Sequence, residues 1–459
     1  MSDERNHPKD GEGRRNPGVH LPMLRPGEDL LSVPSAFAFH EARRAVTRPE
    51  RFGPNKYSPW PMAQIGSRER PGFAVLRPPQ TENPGGLDPD QVEHWVEEMW
   101  RQRAELSDLD ADVLDGMMAA WISRSIADPE RLAHVGVDEL LELRGVKKNP
   151  GGGGRRGGYR EKQRATIVRA VGHLQNIWVD MGVMEVPVRT GRGRGTKMVE
   201  KRVSSHLVSV EDVTRSVQPR LDAPDEIDGF VFRPGRAISI FLDDVGRQVT
   251  LLAAQALRYH PDRQTWEKRL ARTLSWRWRV RARKPDGYSQ PYKVGQLLRF
   301  ADETLNERRP LRTRERLEKA LDTLERDGVI AAWQYERFCD PLEAPRQGWV
   351  GEWLASTVVI EPPDAMKDLS EQIEARAPGG TVGVTPKTRR GREVGEASIG
   401  GRLKEWRKEN GYSQARLAEM LGIPQAAISS YERGKVIPAV ARAERIEALI
   451  GTGDAPSGK

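Results

Sequence analysis

Hydrophobic and polar residues alternate with helical periodicity near the end of the chain, between Ser413 and Lys435. Ser413 is a natural N-cap for a first helix and Gly422 breaks it, so the pattern predicts a short helix followed by a tight turn. Pro424 then occupies the expected first position of a second helix, which Gly434 closes. The residues that share the apolar faces of these two helices are Leu417, Ala418, Leu421, Ile428 and Tyr431.

Two more amphipathic segments flank this pair. One carries Leu403 and Trp406 and ends at Asn410-Gly411, and the other runs from Ala439 to Ile450. Together the four helices predict a small helical domain over residues 397–452.

The middle of the chain contains an internal repeat. Residues 169–174, RAVGHL, align with residues 319–324, KALDTL, and each copy lies near the end of a long amphipathic helix. A short helix precedes each long one, over Asp138–Leu143 and Val294–Phe300. Each long helix is followed by two β-prone segments, which are Val183–Val188 and Lys197–Val203 in the first copy, and Val329–Tyr335 and Trp353–Ile360 in the second. A short helix, a long helix and a two-stranded ribbon predict a winged helix in each copy.

The chain between these features sets the expected domain limits. Residues 1–87 are rich in proline and charge and predict a largely disordered or irregular N-terminal arm. Helices are expected from Asp88, around Val113–Ile122, over Val249–Leu257 and over Trp266–Arg281. The predicted fold is mainly α with small β-wings: winged helices over 88–210 and 211–362, a flexible linker over 363–396 and the helical domain over 397–452.

Composition restricts the possible partners and compartments. The chain has 459 residues, and 74 Lys and Arg against 66 Asp and Glu give a formal net charge of +8, which favours a polyanionic partner. The single cysteine, Cys339, excludes an internal disulfide and a cysteine-rich zinc site and is typical of a reducing cytosol. No long apolar run predicts a membrane span or a signal peptide, so we expect a cytoplasmic protein.

The stretch SQARLAEMLGIPQAAISSYERGK at 413–435 resembles the Cro and repressor family of phage helix-turn-helix proteins. This resemblance implies that the second helix enters the major groove of DNA and that Gln425, Ala426 and Ser430 face bases. The residues that it implies as phosphate contacts are Gln414, Arg433 and Lys435. The alternative is a helical hairpin used for protein contacts.

Basic residues follow the predicted outward faces of the two long central helices. Those of the second helix are Arg312, Arg316 and Lys319, and those of the first are Lys162 and Arg169. Glycine-rich segments add Arg155 and Arg156 ahead of the first helix and Arg192 and Arg194 at the predicted wing tip. We expect these cations to contact phosphates or the minor groove. The alternative is that they are solvated surface.

The motifs YKVGQLLRF at 292–300 and RERLEKALDTLERDGVIAAW at 314–333 look like parts of iteron-type plasmid replication initiators, which are similar over roughly Val113–Pro362. That resemblance implies a prokaryotic protein associated with the nucleoid or a plasmid. It also implies binding to directly repeated origin sites on double-stranded DNA, followed by opening of the duplex. Expected further partners are host replication proteins, a helicase or an initiator, and a second copy of the chain.

Catalytic patterns are missing from the sequence. No phosphate-binding loop of the G-x-x-x-x-G-K-[ST] type occurs, and the histidines are scattered singly. Asp243-Asp244 is more typical of a helix cap than of a magnesium site. We therefore expect no enzymatic activity, metal or cofactor. The alternatives are a transcriptional repressor of the helix-turn-helix family, and a nuclease or recombinase with an unrecognised acidic site.

Overall fold

The chain folds into a mixed arrangement of helices and antiparallel sheets. The computed structural model describes residues 30–66, 71–79, 89–124, 132–151, 157–189, 196–216, 226–242, 248–282, 284, 286–337, 348–375, 399–434, 438 and 440–452. Residues 1–29 of the expected arm and residues 376–396 of the expected linker lie outside the described residues.

Strands and helices alternate irregularly through residue 242. The strands are β1 (Leu30–Pro34), β2 (Gly53–Asn55), β3 (Ser58–Gly66), β4 (Pro71–Leu76), β5 (Ala133–Gly136), β6 (Ile177–Arg189), β7 (Thr196–His206), β8 (Val208–Ser216) and β9 (Glu226–Pro234). The helices are α1 (Phe37–Val46), α2 (Pro89–Glu105), α3 (Asp108–Arg124), α4 (Val137–Leu143), α5 (Glu161–Gln175) and α6 (Arg236–Ser239).

The remainder is mostly helical. Its strands are β10 (Val249–Ala253), β11 (Tyr292–Lys293), β12 (Ala332–Arg337) and β13 (Thr357–Glu361). Its helices are α7 (Gln255–Arg258), α8 (Thr265–Arg281), α9 (Val294–Phe300), α10 (Pro310–Arg326), α11 (Trp349–Ala355), α12 (Asp364–Ala375), α13 (Ile399–Glu409), α14 (Gln414–Leu421), α15 (Gln425–Glu432) and α16 (Val440–Thr452).

Residues 30–66 and 71–79 are folded, so the expectation of an irregular segment was wrong for these described parts. β2, β3 and β4 join β6 and β7 in a five-stranded sheet of order β2-β3-β4-β6-β7. Two of the prolines occupy positions that a sheet tolerates: Pro54 lies in the edge strand β2, and Pro71 is the first residue of β4. Because of this sheet, the expected mainly α fold with small β-wings is correct only in its helical part.

Residues 249–253 form a strand where a helix was expected. β10 pairs antiparallel with β1, with Leu31 opposite Leu252 and Val33 opposite Thr250. All five residues of β10 are buried. A short apolar run fits a fully buried strand as well as it fits a buried helix, so periodicity alone could not separate them.

Both copies of the sequence repeat form a helix–helix–hairpin unit. The first consists of α4, α5 and the hairpin β6–β7, and the second of α9, α10 and the pair β12–β13. In the second unit β13 lies between β11 and β12. Trp353 was expected at the start of the last strand, but it lies in α11.

The tryptophans of α8 pack internally, since Trp278 is buried and Trp276 stacks on His40 with ring centroids 4.1 Å apart.

A network of buried charges joins α3 to α8. Asp108, Asp112 and Asp115 fall at i, i+4 and i+7 on α3, and all three are buried. The Arg272 guanidinium of α8 donates to all three carboxylates, over 2.9 Å, 2.5 Å and 2.8 Å respectively. Its three donor nitrogens therefore fix the position of α8 against three turns of α3.

Lys268 is the second cation of this network. Its Nζ donates to both carboxylate oxygens of Asp112 at 2.7 and 2.8 Å and to the carbonyls of Ala256 and Leu257 at 3.0 and 3.1 Å. Burial lowers the pKa of Lys268 to about 8, although Asp112 opposes this shift. α1 contributes Arg43, whose Nη1 donates to Asp115 at 2.8 Å.

Replacing Asp112 by alanine should lower the free energy of unfolding by about 3–5 kcal/mol, because Lys268 and Arg272 would remain buried without their shared partner. Urea denaturation followed by circular dichroism measures this change. Glu93→Ala, at an exposed position of α2, is the control and should change stability by less than about 0.5 kcal/mol. An equally small change for Asp112→Ala would contradict the assigned role of the network.

Candidate nucleic-acid interface

The four C-terminal helices surround a small core. Leu403 and Trp406 from α13, Leu417 from α14 and Ile428 and Tyr431 from α15 are buried, as the apolar pattern predicted. Close packing of backbones is part of this core. A Cβ atom on Gly400 of α13 would lie 1.8 Å from the carbonyl oxygen of Tyr431, so only glycine fits there.

Both ends of α14 have the capping that the sequence predicts. The Ser413 hydroxyl accepts a hydrogen bond from the backbone N–H of Arg416 at 3.1 Å, and Gly422 ends α14 in the left-handed conformation with φ 64°. Pro424 differs from the expectation. Its ψ of 139° makes it the residue before α15, which begins at Gln425.

An ion pair ties three of these helices together. Arg407 of α13 donates from Nε and Nη2 to the two carboxylate oxygens of Glu432 on α15, at 2.5 and 2.9 Å. Gln414 of α14 donates from Nε2 to Glu432 at 2.8 Å. Burial alone would raise the pKa of Glu432, but the hydrogen bonds from Arg407 and Gln414 outweigh it and lower the pKa. Gln414, which was expected to hold a phosphate, therefore uses one of its amide hydrogens to orient α15.

The exposed surface of α15 carries the residues predicted to face bases. Gln425 and Ala426 are exposed at its first turn. Ser430 is half-buried, and its hydroxyl donates to the Ala426 carbonyl at 2.9 Å. Arg433 is exposed at the end of the helix, and its Nη1 lies 3.6 Å from Asp322 of α10. Lys435 lies outside the described residues.

The predicted cations of the second long helix, α10, are of two kinds: some are exposed, and one is paired inside the protein. Arg312 and Lys319 are exposed on α10. Arg316 instead faces α8, where Nη1 and Nη2 donate to the two carboxylate oxygens of the buried Glu267 at 2.9 Å each. The prediction that Arg316 lies on the outward face of this helix is therefore wrong, because the buried Glu267 carboxylate needs this cation as its partner.

Two further exposed cations precede α10, and the sequence analysis did not single them out. Arg308 and Arg309 are exposed immediately before α10. The signal that could have found them is the pair of arginines directly ahead of Pro310, since proline marks the first turn of a helix.

On the first long helix, Lys162 and Arg169 are exposed as predicted. Arg169 lies 3.7 Å from the exposed Glu105. Arg164, one turn before the middle of the helix, bonds to Asp138 and Asp228 and so joins α5 to α4 and β9. The remaining predicted contacts, Arg155, Arg156, Arg192 and Arg194, lie outside the described residues. The neighbouring strand β7 exposes Lys197 and Lys201.

Comparison with known proteins identifies the C-terminal domain. Residues 403–454 match the family model HTH_3, Helix-turn-helix. This domain is a DNA-binding helix-turn-helix domain, and α14 and α15 are its two central helices. No curated protein matches the chain in sequence.

Two solved structures are similar to the central region. The crystal structure of the RctB domains 2-3 shares 9% identity with this chain and covers 70% of it and 98% of its own chain, with a TM-score of 0.35. The crystal structure of SeMet derivatives of domain 2 and domain 3 of RctB also shares 9% identity, covering 62% of this chain and 86% of its own, with a TM-score of 0.32.

No group of three or more His, Cys, Asp or Glu side chains is placed to hold a metal ion within the described ranges. No helix in the part of the chain that the structure describes combines the length and apolarity of a membrane span.

Glu432→Gln should speed hydrogen exchange in α15 at neutral pH, because the bidentate partner of Arg407 loses its charge. The expected loss of local stability is about 1.5–3 kcal/mol. Since the pKa of Glu432 is lowered, its contribution is complete above the unfolded value of about 4.3 and disappears as the pH falls through the folded value. Hydrogen exchange with mass spectrometry on the full chain measures it.

The variant and the original protein should therefore become alike in acid. Glu405→Gln, at an exposed position of α13, serves as the control and should leave the exchange of α15 unchanged. A difference between Glu432→Gln and the original protein that stays constant from pH 7 to about pH 3 would refute this assignment.

Proposed function

We propose that the protein is a sequence-specific double-stranded DNA-binding protein that acts as a replication initiator of the plasmid type. The observation that carries the first part is α15: its first turn exposes Gln425 and Ala426, and its other end is fixed by Arg407 and Glu432. A glutamine can bond adenine through two atoms, and an alanine methyl can contact a thymine methyl. A helix that is fixed at one end and exposes these side chains at the other suits base reading.

The central region supports the initiator role. We propose that the two helix–helix–hairpin units are winged helices whose long helices, α5 and α10, each enter a groove. The exposed cations Lys162 and Arg169 on α5 and Arg312 and Lys319 on α10 would contact phosphates. Two such units in tandem fit repeated origin sites. Occupying several repeats can bend DNA, at a deformation cost of about 1–6 kcal/mol that added phosphate contacts offset.

A transcriptional regulator is the second candidate, because the family match covers only the helix-turn-helix domain at residues 403–454. Sequencing of genomic or plasmid fragments retained by the purified protein, followed by footprinting, separates the two. Tandem direct repeats beside an A·T-rich tract support initiation, and a single inverted repeat over a promoter supports regulation. Retention of no fragment at low salt would refute both. Nicking of supercoiled DNA in the presence of magnesium would instead indicate a nuclease.

Gln425→Ala should weaken binding to the selected DNA site by about 1–3 kcal/mol, with little change on random DNA, because a contact to a specific base is made only at the selected site. Fluorescence anisotropy with both duplexes measures this difference. Gln91→Ala, at an exposed position of α2, is the matched control and should leave both affinities unchanged. An equal loss on both duplexes would show that Gln425 does not read a base.

Arg312→Ala combined with Lys319→Ala should reduce the slope of log affinity against log salt by about 0.9 for each lost phosphate contact. Titrations at four or more salt concentrations give this slope. Arg316→Ala is the informative comparison, since its partner Glu267 predicts a loss of folding stability rather than a change of slope. An unchanged slope in the double variant would mean that Arg312 and Lys319 are solvated surface.

A further inference from the structure

A polar cavity of about 340 Å³ lies at the base of the β6–β7 hairpin. Strands β6, β7, β8 and β9 and the short helix α6 all contribute to its wall. The ten described residues that line it include two arginines and four serines, and none is acidic. Its volume falls within the range of pockets that bind small organic molecules, about 300–1,000 Å³.

A close chain crossing forms the cavity and fixes its shape. Gly235 follows β9 and donates its N–H to the Leu207 carbonyl at 3.1 Å. A Cβ atom on Gly235 would lie 1.5 Å from the carbonyl oxygen of His206, so no other residue fits this crossing. The Ser205 hydroxyl accepts a hydrogen bond from the N–H of Ala237 at 2.8 Å and holds α6 in place. The site is therefore built by backbone contacts rather than by loose surface side chains.

Serine hydroxyl groups in the cavity wall are further possible hydrogen-bond partners for a bound molecule. The Ser204 oxygen accepts a hydrogen bond from Trp178 Nε1 at 2.6 Å, which leaves the Ser204 hydroxyl hydrogen to donate elsewhere. Ser209 of β8 stands directly opposite Arg233 of β9 in the ladder. Ser239 of α6 adds another hydroxyl to the lining. Hydroxyl and guanidinium donors in one wall are the groups that bind phosphate oxygens.

The charge of the cavity is positive. Arg233 is oriented by Glu211, whose Oε1 accepts from Arg233 Nε at 3.1 Å. Arg236 is exposed and is the first residue of α6. An anion in the cavity would meet both guanidinium groups, of which Arg233 also bonds to Glu211 outside the described lining.

The cavity is larger than an inorganic phosphate ion needs, and part of its wall is apolar. Trp178 and Pro234 contribute this part. The Arg77 guanidinium lies 3.8 Å from the centre of the Trp178 ring and holds the ring in place. A ligand with one charged end and a carbon-containing body would use both the donors and the apolar wall.

The position separates this cavity from the predicted wing tip of the same hairpin. Trp178 and Ser204 lie near the end of the hairpin that adjoins α5, whereas the predicted wing tip follows Arg189. Trp178 and Arg189 are eleven positions apart along β6, which corresponds to about 35 Å. Occupation of the cavity does not require DNA, so this inference does not depend on the proposed function.

We propose that this cavity binds a small phosphate ester, with the phosphate between Arg233 and Arg236 and the organic part against Trp178 and Pro234. Isothermal titration of the full chain tests it, with inorganic phosphate, ribose 5-phosphate, adenosine monophosphate and adenosine as probes. At least one of the two esters should bind about tenfold or more tightly than inorganic phosphate, and adenosine should not bind. The identity of the better ester then shows whether the cavity takes a base or only a sugar.

Arg236→Gln should weaken binding of that ester by about tenfold or more, since it removes a charged hydrogen-bond donor. Arg215→Gln, at an exposed position of β8 outside the lining, is the matched control and should bind as the original protein does. Ser209→Ala provides a second variant with an expected several-fold loss, and circular dichroism verifies folding of all three. The proposal is overturned if neither ester binds at millimolar concentration, if inorganic phosphate binds as tightly as both, or if Arg236→Gln and Ser209→Ala bind the ester unchanged.

Discussion

The contact between α3 and α8 depends on charges that are removed from water. Asp108, Asp112 and Asp115 on one helix meet Arg272 and Lys268 on the other, and all five are buried. Each such charge costs several kcal/mol to bury, and the cost is offset only when every partner is in place. An apolar contact could slide along its groove, but a guanidinium with three carboxylate partners has one position. The network therefore specifies which turn of α8 faces which turn of α3.

The N-terminal segment extends this constraint to the second unit. Arg43 of α1 reaches Asp115, and Arg44 and Arg48 bond to Asp302 at 2.7 and 2.8 Å. Asp302 lies in the turn between α9 and α10 and has a positive φ of 59°, a conformation uncommon outside glycine. Its carboxylate is almost completely buried by these arginines. A segment that composition alone marks as irregular thus connects α3 to the turn before α10.

The sequence predicts best where structure is decided by neighbouring residues. Ser413 and Gly422 act within one turn of chain, and their capping is present in the structure. Residues 249–253 depend on pairing with residues more than two hundred positions away, so no local pattern could assign them to a strand. The proline-rich segment after residue 30 was misjudged for the same reason, since its order comes from pairing with β6.

The candidate site shows the same division at the level of single side chains. Arg312 and Arg316 are four residues apart, and sequence spacing places them on one helix face. Only the position of Glu267 on α8 makes one of them structural and leaves the other exposed. Gln414 is a similar case, because it donates one of its amide hydrogens to Glu432 of another helix. Predicted basic residues therefore need their intramolecular partners assigned before they are counted as nucleic-acid contacts.

The arrangement of the buried charges bears on how the proposed DNA contacts would be spaced. α5 packs on α3, α3 is fixed to α8 by the network, and α10 packs on α8. A continuous series of packed helices therefore joins the two long helices that carry the exposed cations. If these helices enter grooves as proposed, their separation is set inside the protein rather than by the DNA, and a change in spacing between half-sites has to be absorbed by deforming the duplex. Deformation costs depend on the sequence that is deformed, so base pairs that no side chain touches would then contribute to specificity.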